Sequence, residues 1–200
     1  MSLFPNRAQQ LDLADANVVY YPNFIEAQEA EAIYLELYTK TPWQQDDIKV
    51  FGKVYAQPRL TALYANNALP YSYSNITMHP HLFTSTLDIL RKKVEQEADA
   101  VFTTCLLNLY RDGKDSNGWH SDDEKELGKN PTIASISLGA SRVFKFRDKR
   151  AKSNIRSILL EPGSLLLMSG ETQHNWQHQL PKTSKLVQPR VNLTFRRILG

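Results

Sequence analysis

The chain has one cysteine, Cys105, among its 200 residues. That excludes an internal disulfide framework and a multi-cysteine zinc site, so any metal must be held by histidines and carboxylates. Long apolar runs are also missing. The longest uninterrupted aliphatic stretch, Leu165–Met168, is far short of the roughly 20 residues a spanning helix needs. The opening MSLFPNRAQQ lacks the charged-then-apolar layout of a signal peptide. The expectation is therefore no membrane partner and a cytoplasmic protein, or a nuclear one if eukaryotic, with a monomer as the simpler oligomeric state. Neither charge sign dominates: 24 Lys and Arg stand against 21 Asp and Glu, a net +3. This mild basic bias favours a polyanionic partner. What is present is apolar material, 42% of residues, enough to bury the core of a single domain, residues 1–200.

Periodicity divides the chain. Ile25, Ile33, Tyr34 and Leu37 fall at roughly helical spacing and predict an amphipathic helix over Asn23–Lys40. Leu87, Leu90, Val94 and Ala98 do the same for Thr84–Ala98, with Thr84 as its cap. From Thr104 onward the period becomes two: TCLLNLY, TIASISL, RVFKFR, SILL, SLLLM and RVNLTFR read as short strands parted by turn residues. The expected fold is mainly β with supporting helices (α+β), a jelly roll or double-stranded β-helix with its core over 104–198. The Tyr-, Pro- and Asn-rich segment 43–80, with strand-like pieces and turns, precedes it.

Three patterns carry chemistry. In an extended segment His120 and Asp122 point to the same face, so an imidazole and a carboxylate converge. A third donor comes from HNWQHQLP, where His174 and His178 are both candidates. Two histidines and one carboxylate leave three adjacent positions open, which suits non-haem Fe(II) and O2. In RVNLTFR, Arg190, Asn192, Thr194 and Arg196 share one face over an apolar backing of Val191, Leu193 and Phe195. Two half-buried guanidiniums call for anions, and a dicarboxylic acid would satisfy both. Asn108 and Tyr110 fall on a common face of NLY and can donate to the same ligand.

The ordered set NLY, WHSDDE, IASISLGASRVFKFR, GSLLLMSG, HNWQHQLP and PRVNLTFR resembles the AlkB-type Fe(II)- and 2-oxoglutarate-dependent nucleic-acid dealkylases, especially the branch with the human double-strand DNA repair enzyme. The resemblance implies His120, Asp122 and His178 as the iron ligands. It implies Asn108, Tyr110, Arg190, Asn192 and Arg196 as the 2-oxoglutarate site. Within that site it puts Arg190 near the iron-chelated carboxylate or Asp122, and Arg196 on the distal carboxylate. Glu124 matches the acidic residue that faces a cationic alkylated base, a charge a carboxylate stabilises. Residues 43–80 resemble a nucleotide-recognition lid. There Phe51 matches the aromatic wedge of a DNA-probing hairpin, and Arg59 and Tyr71 match polar substrate contacts. The cations Lys145, Arg147, Lys149, Arg150, Lys152 and Arg156 suit phosphate contacts. The implied activity is oxidative removal of N-alkyl groups from 1-methyladenine- or 3-methylcytosine-type bases in DNA, duplex or single-stranded, with Fe(II), O2 and 2-oxoglutarate. Succinate, CO2 and an aldehyde would be released. An RNA demethylase, a protein hydroxylase of the same class and a non-catalytic nucleic-acid-binding jelly roll are the alternatives.

Overall fold

A computed structural model describes residues 8–50, 53–67, 71–73 and 76–199. In chain order the elements are β1 (Gln9–Gln10), β2 (Asn17–Tyr21), α1 (Ala27–Lys40), β3 (Asp47–Val50), β4 (Lys53–Ala56), β5 (Leu60–Ala65), β6 (Tyr71–Tyr73), β7 (Ile76–Met78), β8 (His81–Leu82) and α2 (Ser85–Ala98). There follow β9 (Thr104–Tyr110), β10 (Asn117–His120), β11 (Ile133–Gly139), β12 (Arg142–Asp148), β13 (Ile155–Leu160), β14 (Ser164–Ser169), α3 (Thr172–Asn175), β15 (Trp176–Leu180) and β16 (Arg190–Arg196).

The strands form an eight-stranded sheet, β1-β2-β14-β11-β16-β9-β5-β8, a four-stranded sheet, β10-β15-β12-β13, and two two-stranded ladders, β3-β4 and β6-β7. Alternation within the strands of the large sheet separates two cores. Leu107 and Leu109 of β9, Ile136 and Leu138 of β11, and Val191, Leu193 and Phe195 of β16 pack outward against Ile33 and Leu37 of α1 and Leu87, Leu90 and Val94 of α2. Val18, Tyr20, Ile133, Leu166 and Met168 point the other way and meet Phe146, Leu160 and Trp176 of the small sheet. Each strand thus has one face for the helices and one for the opposing sheet, the arrangement of a jelly roll. Among the described residues no helix is long and apolar enough to cross a membrane.

The second helix starts as its sequence indicates: Thr84 Oγ1 accepts the Leu87 N–H at 3.2 Å. The first starts later, at Ala27 instead of Asn23. The Ile25 N–H donates to the Gly163 carbonyl at 2.9 Å, which ties the preceding turn to the large sheet in place of a helical bond. The sheet also extends beyond 104–198. β2 pairs with β14, and β5, inside the segment read as a lid, pairs with β9 through Thr61 opposite Asn108. Residues 60–65 are therefore sheet. Their LTALYA is buried on both faces, and a strand buried on both faces carries no polar alternation to reveal it.

Candidate metal centre and co-substrate pocket

The short strands β10 and β15 pair His120 with His178 across an irregular register. Their rings meet edge to face with centroids 4.2 Å apart. The chain has left β10 by Asp122, yet that side chain still turns inward: its Oδ1 lies 3.9 Å from His120 Nε2. Donor atoms of His120, Asp122 and His178 all lie within 4.8 Å of one another. His174, the other histidine candidate, is exposed on α3 and outside this cluster.

The protonation states suit a cation. His120 Nδ1 is 2.8 Å from the Gly118 carbonyl. A carbonyl only accepts, so Nδ1 carries the proton and Nε2 keeps the lone pair a metal would take, which here accepts from Asn117 Nδ2 at 3.2 Å. Burial lowers the pKa of both imidazoles, and with His120 alongside it takes His178 to about 3. Burial would raise Asp122, but the Arg196 guanidinium and the two imidazoles outweigh it and hold the carboxyl at about 2. Neutral imidazoles and an ionised carboxylate are the forms that bind a metal.

Side-chain bonds fix the arm that carries Asp122. Ser121 Oγ donates to the Trp176 carbonyl at 3.0 Å, and the Asp122 N–H donates to Gln173 Oε1 at 2.9 Å. Arg196 Nη2 donates to Asp122 Oδ1 at 2.8 Å, with both groups buried. Gln173 escapes a sequence reading: a lone buried amide in a one-turn helix has no periodicity and belongs to none of the motifs.

Facing the trio, the polar faces of β9 and β16 line a pocket with Asn108, Tyr110, Arg190, Asn192, Thr194 and Arg196. Register sets Arg190 opposite Tyr110 and Asn192 opposite Asn108. Arg190 is 2% exposed. It donates to Ser137 Oγ at 2.9 Å and lies 5.4 Å from the Tyr110 ring centroid. Its Nε has no partner among the described residues, and burial, with Arg142 nearby, lowers its pKa to about 10. A buried cation with an unused donor fits one carboxylate of a dicarboxylic acid. Arg196, where Arg190 was the expected candidate, is the arginine at Asp122, and Arg190 lies at the other end of β16. Six residues at about 3.3 Å each hold the two Cα atoms roughly 20 Å apart.

The remaining predicted residues divide. Arg59 lines the pocket and donates through Nε to Asn108 Oδ1 at 2.8 Å. Asn192 Nδ2 donates to Ser135 Oγ and the Ile136 carbonyl, which commits its amide to the sheet. Glu124 is half-buried, and its Oε2 has no partner among the described residues. Burial and the Asp122 charge raise its pKa. Arg147 stacks on Trp119 at 4.3 Å and donates to Gln177. Lys149 bonds Asp123 and the Gln173 carbonyl, and Arg150 bonds Asp15. Those three cations of the basic run are thus engaged within the chain. Phe51 and the Tyr71 side chain lie outside the described residues.

A family described as the 2OG-Fe(II) oxygenase superfamily matches residues 17–196. The chain is 43% identical over 192 residues to mouse "Alpha-ketoglutarate-dependent dioxygenase alkB homolog 3", covering 92% of this chain and 66% of that protein. It is 37% identical over 203 residues to human "DNA oxidative demethylase ALKBH2", covering 96% of this chain and 76% of that one. The solved structure described as "The structure of OsALKBH1" superposes with a TM-score of 0.68 at 15% identity, over 96% of this chain and all of that one. It shares the fold.

Proposed function

The chain belongs to the 2OG-Fe(II) oxygenase superfamily, and on that premise we propose that it strips N-alkyl groups oxidatively from nucleic-acid bases, with alkylated DNA as substrate. Fe(II) and 2-oxoglutarate are the cofactor and co-substrate of this family, and O2 is the oxidant. The observation that carries the reading is the convergence of His120, Asp122 and His178, donor atoms within 4.8 Å of one another, on a pocket walled by buried arginines. The resemblance to alkB homologues supports nucleic-acid bases over other alkylated substrates.

His120 Nε2, the Asp122 carboxylate and one His178 nitrogen would hold the iron. Arg196 keeps Asp122 anionic and aimed inward. Arg190 would take the distal carboxylate of 2-oxoglutarate, with Tyr110 and Ser137 beside it, while Arg59 orients Asn108 on the same wall. The bound iron, with 2-oxoglutarate and O2, supplies the oxidising power that hydroxylates the N-alkyl carbon. Loss of an aldehyde then restores the base, with succinate and CO2 as the other products. Glu124, two residues past Asp122, would place negative charge near a base made cationic by alkylation. Phe51, Tyr71 and the lid 43–80, apart from its sheet strand, would meet the nucleic acid, and Arg147 would face its backbone. The protein positions the reactants and excludes water, and the hard chemistry belongs to the metal and co-substrate.

The test is purified protein with Fe(II), ascorbate and 2-oxoglutarate, scored for repair of 3-methylcytosine in duplex DNA, single-stranded DNA and RNA. Succinate and formaldehyde formed in step with repaired base are expected. Metal-replete protein that makes neither with any of the three overturns the proposal. Phe51→Ala is expected to lower repair of the duplex more than of the single strand.

A further inference from the structure

Asp122 differs from the two histidines in how it is held. His120 and His178 belong to paired strands, whereas Asp122 lies beyond the end of β10, where no ladder fixes its backbone. The Asp122 N–H instead donates to Gln173 Oε1 at 2.9 Å. Gln173 is fully buried, and its other amide atom, Nε2, contacts Met168 Sδ at 3.7 Å. Lys149 Nζ bonds the Gln173 carbonyl at 2.8 Å and Asp123 Oδ2 at 3.1 Å. One glutamine is thus bonded at both its side chain and its backbone to groups that define the Asp122 arm. It sits on α3, immediately before the strand that delivers His178.

We infer that Gln173 is the positioning residue of the metal centre: it ties the segment carrying Asp122 to the segment carrying His178 and so sets the separation between carboxylate and imidazole. A buried glutamine is an expensive way to fill space, because each polar atom left without a partner gives up its hydrogen bonds to water for nothing. Methionine would fill the same volume. What glutamine adds is an acceptor for one amide, that of the metal-ligand residue. A partner that orients a ligand without touching the metal typically changes metal affinity by about 10- to 100-fold when removed. Lys149 closes the brace from the β12 side and is a structural latch.

This inference rests on the reading of His120, Asp122 and His178 as metal ligands, and the two are separated by titrating the metal alone. Wild-type apoprotein, Gln173→Met and Gln173→Glu are titrated with Mn(II), and their Co(II) visible spectra are recorded. Amide exchange of Asp122 is followed beside that of Leu193 in the core. Gln173→Met is expected to bind Mn(II) about 10- to 100-fold more weakly, with an altered Co(II) spectrum and faster exchange at Asp122 but not at Leu193. Gln173→Glu keeps an acceptor oxygen in place and is expected to stay within about threefold of wild type, well short of that range. If wild type binds neither ion, the metal-site reading itself fails. If wild type binds and Gln173→Met binds equally well, or if both variants lose affinity alike, the role given to Gln173 is wrong. Should Gln173→Met unfold, Gln173→Glu decides alone, and a loss beyond threefold overturns the inference.

Discussion

Two walls of one pocket are held by different means. On the large-sheet side β16 pairs with β9 through seven consecutive residues and with β11 on its other edge, so Arg190, Asn192 and Arg196 are placed by backbone register. On the small-sheet side β10 and β15 share two register pairs with an irregularity between them, and Asp122 is aimed by side-chain bonds from Arg196 and by Gln173. A ladder distributes the positioning of a side chain over many bonds, and the ligand arm concentrates it in a few. Single substitutions should therefore disturb geometry on the arm, and only local chemistry on the ladder.

The largest expected effect is at the arm itself. Asp122→Ala removes the one anionic ligand and should abolish aldehyde release from methylated DNA in a metal-replete assay; unchanged turnover would remove this site from the mechanism.

Next comes a matched pair on one strand face. Arg196→Met takes the guanidinium away from a carboxylate that is 1% exposed and should destabilise the apoprotein by about 3–5 kcal/mol in denaturant titrations. Arg190→Met should leave apoprotein stability unchanged or raised. Burial lowers the folded pKa of Arg190 to about 10, so below that pH the native state carries a cation it disfavours, a penalty that fades only as pH rises through 10. In turnover the same variant should raise the KM for 2-oxoglutarate about 10- to 100-fold with kcat little changed, since a charge-assisted bond contributes about 1.5–3 kcal/mol. Equal stability losses in the two variants would erase the distinction between an arginine bonded to the ligand arm and one turned to the open pocket.

The smallest effect lies in the loop between β9 and β10, which joins the two regions. Asp115 is buried, which raises its pKa, but bonds from the Arg111 side chain and N–H bring it below the usual carboxylate range. Because the folded pKa is depressed, its contribution is present above the unfolded value and lost as pH falls through the folded one. With Arg111 half exposed, Asp115→Asn should cost about 1 kcal/mol at pH 7. Denaturant titrations at pH 7 and below pH 3 should show the difference shrink toward zero.

Much of this architecture is legible in the sequence where one face of an element meets water or a pocket. β9 and β16 fall on TCLLNLY and RVNLTFR because polar and apolar residues alternate there, and the same alternation points to the anion-binding face. α2 is legible because Thr84 caps it and its apolar stripe keeps step. β5 is legible only as a strand-like piece of 43–80, and its place in the large sheet is hidden because both its faces are covered. The late start of α1 depends on Gly163, far along the chain. Motif order singles out His120, Asp122 and His178, but nothing in that order says which arginine stands beside Asp122, and the fold puts Arg196 there.

The sequence by itself determined the alternation that makes a two-faced sheet, the residue types able to hold a ferrous ion and a dicarboxylate, and the near exclusion of cysteine from both tasks. Only the tertiary structure decided that Arg196 meets Asp122, that Arg190 has a donor unused among the described residues, and that Gln173 and Lys149 bond to the ligand arm. Those outcomes depend on contacts between segments far apart in the chain. Local spacing fixes which way a side chain points along its own strand, and what it meets there is set by how the sheets pack.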